Sequence, residues 1–149
     1  MDSPDLLTVF DRWRAAKPQH VVHTWLRSDG TVKDEYTLQA LYAAAGAVAS
    51  QLQGVDVAVL CYPPGLEFLV SFYGCLFAGA AAAPCYPPDP RNREARTARH
   101  FESIVEASGA SVSIAQVSAE SSWGFSGVSG GATGAVHLSV CAVSTAGVA

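Results

Sequence analysis

Arg91, Arg93, Arg96, Arg99 and His100 form the one basic cluster of this sequence. Arg93, Arg96 and Arg99 recur every third residue and so share one broad helix face. That face could hold a phosphate or carboxylate bidentately; its spacing opposite Phe101, Ile104 and Val105 favours a solvated helix face. Ser129-Gly130-Gly131-Ala132-Thr133-Gly134 has the composition of a loop that cradles phosphates with backbone N–H groups. No lysine follows Lys33, however, and the flanks lack a strand-helix frame, so composition bias accounts for the run better. Gly124-Phe125-Ser126-Gly127 approaches a nucleophile motif, but its spacing is wrong and no strand precedes it. His20, His23, His100 and His137 have no metal-motif spacing. Cys61, Cys75, Cys85 and Cys141 lack the close spacing of a zinc site or redox dithiol. No catalytic, cofactor-binding or metal-ligating residue is assigned.

The elements that must position any such chemistry fit one domain's length, 149 residues. Half the residues are hydrophobic and 15% charged, which excludes disorder of the whole chain. A net charge of −4 is the wrong sign for a general nucleic-acid binder. Asp2, Asp5 and Asp11 stand where a signal peptide would be cationic and then apolar, so a cytoplasmic protein with reduced cysteines is expected. The charge-free window 68–88 is long enough for a membrane span. Its glycines and prolines favour a buried helix followed by a buried strand instead.

A first helix is expected over residues 4–16, capped by Ser3, with Leu6, Val9, Phe10 and Trp13 as its apolar stripe. Asp29-Gly30 between β-prone runs predicts a hairpin of residues 20–26 and 31–36. Thr37 should cap a helix reaching about residue 53, buried along Leu38, Leu41, Ala45, Val48, Ala49 and Leu52 and stopped by Gly54. Residues 55–61 and 80–85 read as apolar strands buried on both faces. The helix between them, about 65–78, should bury Leu66, Leu69, Val70, Tyr73 and Phe77. A helix over 92–108, a Gly109 stop and a strand at 111–115 complete the series. The order implies an α/β fold with a parallel β-α-β-α-β unit and the hairpin apart from it. From residue 116 onward, Gly, Ser and Ala make up 19 of 34 residues, and Glu120 is the one charged residue after 106. Residues 116–149 therefore read as a low-complexity tail outside the core, and 1–115 as the folded unit.

Residues 37–90 carry a resemblance. Thr37-Leu38-Gln39-Ala40-Leu41 resembles the early T-Y-x-E-L helix of adenylate-forming enzymes. Tyr62-Pro63-Pro64-Gly65-Leu66-Glu67-Phe68, Gly74-Cys75-Leu76-Phe77-Ala78-Gly79 and Pro84-Cys85-Tyr86-Pro87-Pro88 resemble the fatty-acyl-AMP ligase branch, relatives of the acyl-CoA synthetases. Residues 100–115 resemble the helix and strand that follow in that family. The likeness covers residues 4–115 and implies the front of the N-terminal adenylation domain. It implies activation of a fatty acid with ATP and Mg²⁺ to an acyl-adenylate, then transfer to the thiol of an acyl carrier protein or polyketide synthase.

The matching positions are scaffold. The family's phosphate loop ends in a Pro-Lys-Gly step, whereas Val136-His137 stands here, and its acidic magnesium-binding region and late catalytic lysine have no counterpart among these residues. A fragment inactive alone is expected, with neither ATP nor Mg²⁺ bound productively and with apolar surface left open at residues 57–60 and 80–83. The alternatives are a non-catalytic module that binds an acyl chain or a second adenylation module, and an alanine-rich membrane-associated protein.

Overall fold

The computed structural model of the chain describes residues 5–87, 95–116 and 138–142. Helix α1, Leu6–Ala16, is capped by Asp5, whose carboxylate accepts the Thr8 N–H at 2.6 Å. Asp5 replaces Ser3 as the expected cap because a carboxylate both satisfies a free N–H and meets the positive helix end. Ser3 and Pro4 lie outside the described residues. The expected stripe is buried at Phe10, while Leu6 and Trp13 are exposed.

Strands β1, Val21–Leu26, and β2, Val32–Thr37, pair antiparallel as a separate two-stranded sheet, as the hairpin signal requires. Gly30, at φ 83, donates its N–H to the Arg27 carbonyl at 3.0 Å, and Arg27 donates to the Thr31 carbonyl at 2.8 Å. The positive φ is what the Asp-Gly step supplies. The Asp29 carboxylate fixes the turn by accepting from the Thr31 N–H at 2.9 Å and its hydroxyl at 2.7 Å.

Thr37 caps α2, Leu38–Gln51, its hydroxyl accepting the Ala40 N–H at 3.2 Å. All six residues expected on its buried face are buried. The rest of the fold is β3 (Val57–Cys61), α3 (Leu66–Ala78), β4 (Ala81–Cys85), α4 (Ala95–Ser108), β5 (Val112–Gln116) and β6 (Leu138–Ala142). The strand order is β4-β3-β5-β6, with β3 parallel to both β4 and β5. The β-α-β-α-β unit is therefore present as the sequence predicts.

Successive side chains of β3 are buried on opposite faces of the sheet. Ala58 and Leu60 join a core with Leu41, Val48, Leu52, Val70 and Cys75 from α2 and α3, while Val59 packs with Val105, Phe101 and Ile104 of α4. Helices thus cover both sheet faces. This corrects the expected open surface on β3, where Ala58, Val59 and Leu60 are wholly buried; at 80–83 Ala80 is nearly buried, whereas Ala81 is exposed and Ala82 and Ala83 are half-buried. Strand β4 departs from the buried-strand reading, since Ala81 and Pro84 are exposed at the sheet edge. Leu138–Ala142 also differs from the low-complexity reading, pairing antiparallel with β5. The remainder of the tail beyond Gln116 is outside the described residues.

Apart from Glu67 and Ser71, helix α3 is apolar, which is why its inner face was not legible. The buried line is Leu66, Val70, Ser71, Gly74 and Cys75, whereas Leu69, Tyr73 and Phe77 are half-buried. Tyr73 and Phe77 turn instead toward α1, their rings 5.3 and 5.8 Å from that of Phe10. Small residues face α2 because the helices nearly touch. A Cβ on Gly74 would lie 2.6 Å from Val48 and 3.1 Å from the Ala45 carbonyl. No helix among the described residues is long and apolar enough to cross a membrane.

Two outcomes are expected. Gly74→Ala should lower stability by about 1–3 kcal/mol through overpacking, offset by at most ~1 kcal/mol of helix propensity, and read as a lower urea midpoint. Adding Val48→Ala should recover part of that loss, since the two positions compete for one space. Burial raises the Cys75 thiol from 9.0 to about 11, so the unfolded chain ionises first as pH rises between these values. Stability should then fall across that window by up to about 2–3 kcal/mol on account of this thiol. In denaturant titrations at stepped pH, Cys75→Ala should flatten the dependence there.

Candidate functional site

In open parallel sheets, ligands bind beyond the carboxyl ends of the strands. Strands β3 and β4 end side by side at Cys61 and Cys85, which are register partners. Each strand then runs into a Tyr-Pro-Pro step, Tyr62-Pro63-Pro64 and Tyr86-Pro87-Pro88. Proline cannot continue a ladder, so both chains leave the sheet at the same level. The space between them is a cleft of about 270 Å³ lined by Tyr62, Pro63, Pro64, Phe68, Pro84, Cys85 and Tyr86.

Tyr62 closes the inner end. It is buried, and the Ser71 hydroxyl from α3 donates to its phenolic oxygen at 2.7 Å, with Ser71 fully buried as well. Burial pushes the Tyr62 hydroxyl well above its ordinary value, and the Ser71 bond offsets part of that rise. Tyr86, 78% exposed, stands at the mouth. The thiols of Cys61 and Cys85 interact, which together with burial pushes Cys61 up and draws Cys85 down against the upward pull of its own burial. Cys61 thus keeps its proton more firmly than Cys85.

The cleft suits apolar and aromatic groups. It does not fit a nucleoside triphosphate with its magnesium: no cationic or carboxylate side chain lines it, and three of its residues are prolines without an N–H. The adjoining start of α3 carries Glu67 in its first turn, which repels an anion there. No step of phosphate chemistry is therefore derived from these residues. Among the described residues, no three His, Cys, Asp or Glu side chains group closely enough to hold a metal ion.

The basic cluster does not come together as a site in the described part of the chain. Arg91 and Arg93 lie outside it, Arg96 is on α4, and Arg99 and His100 are exposed on the same helix. His20 is exposed, whereas His23 is half-buried beside Tyr73, their rings 6.3 Å apart, and burial lowers its basicity. His23 lines a second, shallow groove of about 210 Å³ with Phe10, Trp13, Val22 and Leu41. Residues 124–127 and 129–134 and His137 are outside the described residues. The Tyr62–Ser71 bond and the Cys61–Cys85 pair were missed in the sequence, although the Tyr-Pro-Pro step repeated after two strands pointed to this end of the sheet.

Tyr62→Phe and Ser71→Ala should each cost about 1–3 kcal/mol, because each leaves a buried partner without its hydrogen bond. The double variant should lose less than the sum of the two. Strict additivity in denaturant titrations would show that the bond contributes nothing.

Residues 10–143 match the profile of the family described as AMP-binding enzyme. The chain is 38% identical over 96 residues to Disco-interacting protein 2 of Drosophila melanogaster, covering 60% of this chain and 5% of that protein. It is 33% identical over 118 residues to the medium-chain-fatty-acid–[acyl-carrier-protein] ligase JamA of Moorena producens, covering 76% of this chain and 19% of JamA. The fatty acid AMP ligase of Legionella pneumophila superposes with a TM-score of 0.60 at 27% identity, over 69% of this chain and 18% of the ligase. The N-terminal subdomain of Klebsiella oxytoca NpsA, at 19% identity and a TM-score of 0.53 over 70% of this chain and 26% of that subdomain, shares the fold. The chain spans less than a fifth of the first two relatives and of the Legionella ligase. With its parallel β-α-β-α-β unit and hairpin, this chain belongs to the AMP-binding enzyme family, as part of the N-terminal portion of an adenylation domain.

Proposed function

We propose that the chain supplies the opening α/β unit of a fatty-acyl-AMP ligase. Such a ligase consumes ATP with Mg²⁺, joins a fatty acid to AMP with release of pyrophosphate, and passes the acyl group to a carrier-protein or polyketide-synthase thiol in the cytoplasm. The observation that carries this reading is the β3-α3-β4 crossover, which has the family's strand ends and Tyr-Pro-Pro exits in a fold shared with the Legionella ligase at 27% identity. JamA, itself a ligase acting with an acyl carrier protein, supports the carrier as acceptor.

In this reading residues 1–115 form a partial ligase subdomain and 116–149 stand apart from its core except where β6 joins the sheet. The role of the described residues is scaffold. They set the sheet to which phosphate-binding and catalytic groups of an adenylation domain attach, and their own cleft supplies no charge for departing pyrophosphate. Losing one such electrostatic donor costs about 10²–10³ in rate, and a site without any is silent.

Grafted in place of the corresponding segment of the Legionella ligase, residues 10–116 should retain fatty-acid-dependent ATP–pyrophosphate exchange. The purified chain alone should show none with any fatty acid. A folded chimera without exchange would overturn the ligase reading. It would favour a second one, a non-catalytic module that meets an acyl chain or a partner adenylation domain through the exposed Leu6, Trp13 and Tyr86.

A further inference from the structure

Cys61 and Cys85 are 24 positions apart in sequence and are brought together as register partners at the ends of neighbouring parallel strands. Adjacent strands lie about 4.8 Å apart, within the ~4.4–6.8 Å Cα separation that a disulfide accepts. Both side chains are on the α4 face of the sheet, where Cys85 packs beside Val59 and Val105. Burial divides their roles: Cys61 is 8% exposed, while Cys85 is half-buried and lines the cleft. Cys75 is fully buried in the opposite core, against α2.

We propose that Cys61 and Cys85 are an oxidation site, a thiol pair reached through Cys85 in the cleft, that closes to a disulfide when a small dialkyl disulfide such as oxidised glutathione enters. Cys85 is the attacking group, being the more accessible of the two and the one whose thiolate its neighbour favours. Its sulfur attacks one sulfur of the oxidant, forming a mixed disulfide, releasing one glutathione as thiolate and its own proton to solvent. Cys61, the register partner of Cys85, then attacks the Cys85 sulfur as its thiolate. The Cys61–Cys85 bond forms, the second glutathione leaves, and a second proton is released. Two thiols have been oxidised and one glutathione disulfide reduced to two thiols, so electrons and atoms balance. The product staples edge strand β4 to β3 beneath the cleft.

The test uses the full chain, native, with oxidised glutathione. Free thiols are then blocked with an alkylating reagent, and the chain is denatured and cut with chymotrypsin, which cleaves at Leu76 and Phe77 between Cys75 and Cys85. Two of the four thiols should be lost, with the Cys61 and Cys85 peptides joined, and a thiol reductant should restore both. Cys61→Ser should instead trap a stable glutathione adduct on Cys85. A wild-type chain that keeps the adduct on Cys85 while Cys61 remains alkylatable overturns the proposal. So does a bridge to Cys75 or Cys141, or no oxidation of either residue. The wild-type peptide map decides even where a variant fails to fold.

Discussion

A Cβ on Gly74 would stand 2.6 Å from Val48, so the separation of α3 and α2 is set by the one residue type that has no such atom. Most of the structure follows from that approach. With α3 close against α2, Val70 and Cys75 reach Ala58 and Leu60 of β3, and the sheet gains a dry face. Tyr73 and Phe77 are then carried to the outer side of α3, where Phe10 and Tyr42 meet them. This aromatic group is what docks α1, helped by the Arg14 guanidinium 4.2 Å above the Tyr42 ring. The same placement sets Ser71 beneath Tyr62 and Phe68 along the cleft.

The chemistry of the cleft follows from how the strands end. A parallel sheet presents its carboxyl ends together, and here both ends are turned out by prolines. Proline gives a rigid exit but removes the N–H donors with which strand-to-helix turns hold phosphates. Gly65 caps α3 without a side-chain bond, and Glu67 occupies its first turn. The helix dipole is thereby matched within the chain itself. What remains is an aromatic and proline-lined recess with a thiol in it, whose polar groups are already paired.

Much of the fold was legible because local signals agreed with the tertiary outcome. Thr37 capped the helix it was expected to cap, and the 3.6-residue pattern of α2 named its whole buried face. Where the pattern was degenerate it failed. Helix α3 is apolar on most sides, so periodicity could not say which side faces α2, and small Gly74 and Cys75 weighed little beside its leucines and aromatics. Strand β4 looked buried because alanine dominates it, although Pro84 marks an edge. The cleft escaped notice for a different reason. Its key pairs, Ser71 with Tyr62 and Cys85 with Cys61, join residues that only the crossover brings together. No spacing rule for metals or nucleophiles contains them.

Pro84 also makes the two edges of the sheet unequal. Strand β4 is at one end of the order β4-β3-β5-β6, and an edge strand ordinarily offers a row of donors and acceptors to any passing chain. At position 84 there is no hydrogen to offer, and the next residues leave the sheet through Tyr86-Pro87. A strand arriving on that side finds an interrupted template. Strand β6, Leu138–Ala142, contains no proline, so the two edges of the sheet differ in what they offer an arriving strand.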